Sequence, residues 1–371
     1  MIKGDVLFYI WLAQCFSYGS NLPAEILRFY GNKIYEFYEN VEKESKNFKI
    51  TAKRLEKLKN TKLRDYEYIL QLCERLHIKI VCYTDEEYPK RLREIANAPV
   101  VLYYVGNLGI TFQPCISVVG TRRCDDYGIK MANNVSEKLI EYGITLVSGC
   151  ATGVDSVVHK AALKFKGYTA AVLGTALEVS YPFENKELKR NIVRSGGLVI
   201  SEYPPRTKTS PWLFPIRNRI ISAICDAVVV VQSPEKSGAV ISANLALNYG
   251  KKVFCMPPAD IFSENASGIK KCLENGATLL LDIKDLLSVY KDSKYKIAKK
   301  NTVIPNNKPS VKKEREIPPQ FKELFEIVSK EERLTEILKK TGSPANITLS
   351  ILTQMELLNF VKRTKFGFSV C

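Results

Sequence analysis

A chain of 371 residues, 46% of them hydrophobic, can bury a large core and divide into two or three domains. Its net charge of +16 favours nucleic acid or another anionic surface as partner, with plain solubility as the alternative. The ten cysteines are scattered without a Cys-x-x-Cys pair, which argues against structural zinc, and no apolar run is long enough to span a bilayer. The first residues lack a signal-peptide cleavage pattern, so a reduced, cytoplasmic protein with no metal and no membrane association is expected.

Residues 1–77 read as a helical domain. Apolar positions recur at three- and four-residue spacing through Leu7, Ile10 and Trp11, and the turn Ser17–Pro23 opens a second helix. Helix, glycine turn, helix is similar to a helix-hairpin-helix or sterile-alpha-motif-like element. Helical docking and contact with a DNA backbone are equally open roles for it.

From Ile78 the period changes. Short apolar runs at 78–83, 100–105, 115–119, 144–147, 169–173, 198–201, 227–231, 252–256 and 278–281 alternate with helix-like stretches. Runs rich in Val, Ile and Leu without strict alternation are buried on both faces. An α/β domain over 78–290 is therefore predicted: an extended, Rossmann-like, doubly wound and mostly parallel sheet. Ligands of such sheets bind beyond the carboxyl ends of the strands.

Those ends carry glycine or serine turns: Gly120-Thr121-Arg122, Ser148-Gly149, Gly174-Thr175 and Ser237-Gly238. Where a strand turns into a helix, free N–H groups face open space and suit phosphate. Several such turns with Arg122, Arg217 and Arg219 nearby suggest a long polyanion. Thr121 can donate its hydroxyl to a phosphate, and Arg122 can pair with one in two places. A tight turn with a surface arginine is the plainer reading, but it leaves a cation at a helix N-terminus against the dipole. Gly-x-Gly-x-x-Gly is absent, so a nicotinamide cofactor is not expected.

In the loop Ser148–His159, which includes Gly153, Asp155 reads as a helix cap and His159 as a hydrogen-bonded structural histidine, with a catalytic Asp–His pair as the alternative. Pro215 is expected at the first helical position, followed by a buried stripe of Ile216, Ile220, Ala223 and Ile224. Arg217 and Arg219 flank that stripe, and Asn218 lies between them. Two cations at a helix start call for something negative, either Glu202 or a nucleic-acid phosphate. Ser237 and Gly238 would complete the anion-binding rim, although close helix packing would equally explain Gly238 and Ala243.

Residues 291–316 are lysine-rich with few large apolar side chains and read as a linker. In 317–371 three helices followed by a hairpin, Val361–Val370, make a winged-helix arrangement.

Together these segments resemble the DNA-processing protein A family (DprA, also called Smf). The resemblance is carried by Tyr88-Pro89, Ala98-Pro99, Val119-Gly120-Thr121-Arg122, Ser148-Gly149-x-Ala151-x-Gly153-Val154-Asp155 and His159. It continues through Tyr181-Pro182, Ser201-Glu202-Tyr203-Pro204, Phe214-Pro215-x-Arg217-Asn218-Arg219 and Ser237-Gly238, and covers 85–282. The resemblance implies a dimeric Rossmann core that binds single-stranded DNA, protects DNA taken up in natural transformation and loads the recombinase RecA, without catalysis or cofactor. By position it implies a DNA site of Gly120, Thr121, Arg122, Ser148, Gly149, Gly153, Arg217, Asn218, Arg219, Ser237, Gly238 and Lys270.

The sequence departs from the family's usual residues at Thr152, Gln232, Pro258 and Lys270. Lys270 stands where asparagine is usual and adds a cation that could strengthen phosphate contact. The rival reading is a related enzyme that hydrolyses nucleoside monophosphates, which needs a Pro-Gly-Gly-x-Gly-Thr-x-x-Glu segment. Ser237–Asn244 has no such acid.

Overall fold

The computed structural model describes residues 3–291, 293, 295, 297, 299, 318, 321–357, 360–364 and 366–370. The chain divides into two compact units, Met1–Thr302 and Val303–Cys371. Most of the basic stretch 291–316 lies outside the described residues.

The first unit opens with helices α1 (Lys3–Cys15), α2 (Leu22–Tyr30), α3 (Ile34–Glu39), α4 (Val41–Glu44), α5 (Ala52–Asn60) and α6 (Glu67–Arg75). Nine strands follow: β1 (Lys79–Cys82), β2 (Val101–Gly106), β3 (Cys115–Val119), β4 (Thr145–Ser148), β5 (Thr169–Leu173), β6 (Leu198–Ser201), β7 (Ala227–Val230), β8 (Lys252–Cys255) and β9 (Thr278–Leu279). They alternate with α7 (Lys90–Arg93), α8 (Asp126–Glu141), α9 (Val154–Lys164), α10 (Lys186–Arg194), α11 (Leu213–Ile224), α12 (Gly238–Asn248), α13 (Glu264–Glu274) and α14 (Ile283–Leu287).

Each strand falls on one of the nine apolar runs. They form one sheet in the order β1-β2-β6-β5-β4-β3-β7-β8-β9. β3 to β9 run parallel, while β2 pairs antiparallel with both β1 and β6. The chain steps one way from β3 through β4, β5 and β6 and the other way through β7, β8 and β9. The reversal lies between β3 and β7.

Successive residues of β7 show why the runs are apolar throughout. Val228 and Val230 enter one core layer, and Ala227 and Val229 enter the other. Both faces of the strand are covered, so neither can be polar. One layer gathers α8, α9 and α14. The other gathers α11 and α12 together with Tyr9, Ile10 and Trp11 of α1, so the N-terminal helices share a core with the sheet.

The Ser17–Pro23 turn is spent on that packing. A Cβ on Gly19 would stand 3.2 Å from Ile216 Cγ2, and Tyr18 lies edge-on to Tyr203 at 4.8 Å. The turn thus presents its glycine to α11.

At the other end of the unit, Tyr290 donates its hydroxyl to Asp226 at 2.9 Å, and Tyr295 donates to the Phe112 carbonyl at 2.6 Å. Tyr295 and Ile297 also pack against the core, so the start of the expected linker is anchored by side chains large enough to bury.

The second unit contains α15 (Lys322–Lys330), α16 (Leu334–Thr341) and α17 (Ala345–Leu357), then the antiparallel hairpin β10 (Val361–Arg363) and β11 (Phe368–Val370). Leu324, Val328, Ile337, Leu352, Met355 and Phe368 form its core. No helix among the described residues is long and apolar enough to cross a membrane.

Candidate nucleic-acid site

A cleft of about 570 Å³ opens at the carboxyl ends of β3, β4 and β7, where the strand order reverses. Crevices at such reversals are the usual ligand sites of open α/β sheets. Three turns meet there. Gly120, Thr121, Arg122 and Arg123 follow β3, Ala151 comes from the loop after β4 and Asp155 from the first turn of α9, and Lys236, Ser237 and Gly238 lie at the entrance to α12. Phe214, Arg217 and Asn218 of α11 and Tyr181 also line it.

Close approach dictates the glycines. A Cβ on Gly120 would meet Val154 Cγ2 at 2.6 Å, and one on Gly153, whose φ is 73°, would meet the Thr121 carbonyl at 2.3 Å. The β3 and β4 turns therefore interlock, and Val154 N donates to the Thr121 carbonyl at 3.2 Å. Thr121 N donates to the Gln232 carbonyl at 2.8 Å, and its hydroxyl accepts from Arg123 N at 3.2 Å. Ser237 caps α12 by accepting from Val240 N at 3.3 Å.

The two arginines expected to hold an anion differ sharply. Arg122 is exposed, pairs with no carboxylate among the described residues, and lies over the Phe214 ring at 5.5 Å. Arg217 lines the cleft but is only 4% exposed. Its Nη1 donates to the Gly149 carbonyl at 2.7 Å and to the Val172 carbonyl, and its Nε donates to Asn218 Oδ1 at 3.2 Å. Helix α11 starts at Leu213, two residues before Pro215, which is tolerated because N–H groups of the first turn have no helical acceptor. Arg217 and Arg219 thus lie in the second turn, and groups inside the protein answer their charge.

Arg219 is not brought to the cleft. It is 3% exposed and pairs with Glu202 at 2.6 Å, the protein partner weighed for it from sequence. Ser148 is fully buried and donates to the Val118 carbonyl at 2.8 Å. Gly149 and Gly153 sit behind the lining, the first against Arg217 and Asp155, the second against Thr121 and Arg122. Lys270 is exposed on α13 and does not line the cleft. The turn at Gly174 seats Phe214 instead of facing the opening, since a Cβ there would meet the ring at 2.6 Å.

Burial sets the electrostatics beneath the cleft. It pushes the Asp155 carboxyl up, although Arg217 pulls it the other way, and it pulls the Arg217 guanidinium down. Asp155 accepts from Ala151 N at 3.2 Å and so braces the loop after β4. His159 does not pair with Asp155. Its Nδ1 lies 2.7 Å from the Thr169 hydroxyl, whose own proton goes to the Leu146 carbonyl, so Nδ1 is the donor. Burial, with Arg217 adding to it, pulls His159 down to about 3, so it stays neutral.

Sequence reasoning missed Arg123, Lys236 and the aromatic wall. Tyr181 is 43% exposed and stands 5.2 Å from Phe214, which carries Arg122 on its ring. Arg123 follows a singled-out turn and Lys236 precedes another, so adjacency was the available signal. Among the described residues no cluster of three or more His, Cys, Asp or Glu could hold a metal.

Exposed cations and aromatic rings around a cleft at a strand-order reversal define a Rossmann-like α/β protein with a site suited to phosphate and planar rings. The chain belongs to the DNA recombination-mediator protein A family, whose model matches residues 79–291. It is 39% identical over 208 residues to Protein Smf of Synechocystis, covering 55% of this chain and about half, 52%, of that relative's length. It is 38% identical over 206 residues to DNA processing protein DprA of Streptococcus pneumoniae, covering 56% of this chain and 72% of that one.

The X-ray structure of the pneumococcal protein superposes with a TM-score of 0.60 at 32% identity, over 72% of this chain and 97% of that one. The structure of Helicobacter pylori DNA processing protein A, described for its single-stranded DNA binding mode, superposes with a TM-score of 0.51 at 29% identity. That match covers 57% of this chain and 94% of that one.

Proposed function

We propose that this chain binds single-stranded DNA in the cleft between β3, β4 and β7. One observation carries the reading: Arg122, Arg123 and Lys236 are exposed around the cleft, free of acidic partners among the described residues, beside the Tyr181–Phe214 pair. Cations that follow a backbone and rings that stack on bases are the two parts single-strand binding needs. The glycine turns add N–H groups for phosphate. The Helicobacter relative's single-strand binding supports the same partner.

In this reading the protein is a cytoplasmic homodimer that shields incoming strands, loads RecA during recombination and natural transformation, and acts as a binder without catalysis or cofactor. Its domains are a helical module at 1–77, the core at 78–290, the basic stretch 291–316 and a winged helix at 317–371. The three helices and hairpin of the second unit support that last assignment. Hydrolysis of nucleoside monophosphates is disfavoured because the one acid among the described residues lining the cleft, Asp155, is 8% exposed and engaged with Ala151 N.

Titration of the full chain with a single strand and with the matching duplex tests the reading. Tighter binding of the single strand is expected, falling with salt by a slope of roughly 0.7 per neutralised phosphate. Equal affinity for both forms, or release of base from a nucleoside monophosphate, would overturn it.

A further inference from the structure

The N-terminal helices carry a concentration of charge that the cleft does not use. Between Lys43 and Arg64 the chain has nine lysines and arginines against two glutamates, Glu44 and Glu56. Four of the nine have local work. Lys43 and Lys59 pair with Glu44 and Glu42 at 3.7 and 3.3 Å. Arg54 donates to the Ser17 hydroxyl at 2.6 Å, and Lys57 to the Gln14 carbonyl at 2.5 Å, at the carboxyl end of α1 where cations suit the dipole.

The other five, Lys46, Lys49, Lys53, Lys62 and Arg64, are exposed and have no carboxylate partner among the described residues. Such a surface repels itself unless an anion lies on it. Beside it is an aromatic ring that the core does not need. Phe29 is 70% exposed and stands edge-on to Phe48 at 6.1 Å, and Phe48 sits between Lys46 and Lys49 in the chain. A solubility surface has no use for that ring, whereas a single strand uses cations and rings together.

A run of contacts joins this surface to the cleft. Arg54 of α5 holds Ser17, the next residue Tyr18 lies 6.4 Å from the Trp212 ring, and Trp212 follows Pro211 of the cleft lining. Trp212 is 54% exposed, so the rim on that side also offers a ring.

We propose that Lys46, Lys49, Lys53 and Phe29 form a second single-strand contact, which takes up the strand after it leaves the cleft. The choice of partner rests on the cleft reading, while the surface itself does not. The binding site is then longer than the cleft, and short and long oligonucleotides report on different parts of it.

The test uses the full chain with Lys46, Lys49 and Lys53 all changed to Glu, and separately all changed to Gln, with Phe29→Ser as a third variant. Binding to oligothymidylates of six and of forty nucleotides is titrated at several salt concentrations, with melting temperatures as the folding control. For the long strand, both triple variants are expected to bind about tenfold more weakly or worse, with a salt slope smaller by about 2. Phe29→Ser is expected to weaken the long strand severalfold with the slope unchanged.

Six-nucleotide binding should match the parent in all three, and Arg122→Ala should weaken it, with a salt slope shallower by about one. Failure of that control counts against the cleft reading alone, because the long strand alone reports on the surface. Folded triple variants that bind the long strand with the parent's affinity and slope overturn the proposal. So does the same long-strand result accompanied by loss of binding to phosphatidylglycerol vesicles, which would make the surface a membrane contact.

Discussion

Arg217 donates from Nη1 to the carbonyl oxygen of Gly149 at 2.7 Å, so a buried cation in α11 fastens the turn at the end of β4. A residue that looks from sequence like an anion hook is also part of the floor on which the cleft is built.

Arg217→Ala should accordingly lower stability by about 3 kcal/mol, because it strands the carbonyls of Gly149 and Val172 and leaves Asp155 buried without its neighbouring cation. Arg219→Ala should cost a similar amount by exposing Glu202 as an unpaired buried carboxylate, yet leave single-strand affinity intact. Chemical denaturation beside strand titration separates the two. Parent stability in Arg217→Ala would show that its contacts are incidental.

His159 makes stability depend on pH in a defined direction. Its folded value of about 3 lies below the ordinary 6.5, so the unfolded chain binds the proton first. Its contribution is full above pH 6.5 and is lost as pH falls through that value toward 3. His159→Asn, whose side-chain amide can still reach Thr169, should flatten this limb of the stability curve. Denaturation midpoints at pH 7, 5 and 4 for both proteins check it. Parallel curves would place the acid sensitivity elsewhere.

The structure pairs Gln232 with Asp125. Its Nε2 donates to both Asp125 oxygens at 2.9 Å, while Asp125 also accepts from Gly128 N at 2.8 Å and so caps α8. Gln232→Glu would set two carboxylates against each other and should cost about 2 kcal/mol at pH 7. The loss should shrink below about pH 5, where one of them takes up a proton. Melting temperatures at pH 7 and pH 4.5 decide it, and an unchanged value at pH 7 would mean the pairing does not matter.

Tyr181 supplies an exposed ring beside Phe214 and carries little of the core. Tyr181→Ala should weaken single-strand binding by about 1 kcal/mol, roughly fivefold, and change stability by less than about 0.5 kcal/mol. Tyr181→Phe should bind as the parent does. Equal loss in both would assign the effect to the hydroxyl rather than to stacking.

Much of the sheet was legible because its strands are buried on both faces. A run such as Ala227–Val230 has no polar alternative, so its position in the chain is enough to locate it. Strand order was not legible. The antiparallel insertion of β2 between β1 and β6 depends on pairing between distant residues such as Tyr103 and Ser201. The turns at Gly120 and Ser237 were legible from strand-to-glycine transitions.

What local pattern could not reveal was which cations find partners inside the protein. Arg122 and Arg217 look alike along the chain, but only the fold brings the Gly149 and Val172 carbonyls to one of them. Tyr181 and Phe214 are likewise far apart in sequence and neighbours only in space.

The claim that the cleft holds a nucleic-acid backbone is tested most directly by the salt dependence of single-strand binding in Arg122→Ala. The variant should melt with the parent, because the Arg122 side chain is exposed and pairs with no carboxylate among the described residues. It should bind single strands of any sequence more weakly, with a salt slope shallower by about one. A folded Arg122→Ala that keeps the parent's affinity and slope would contradict the placement of the site.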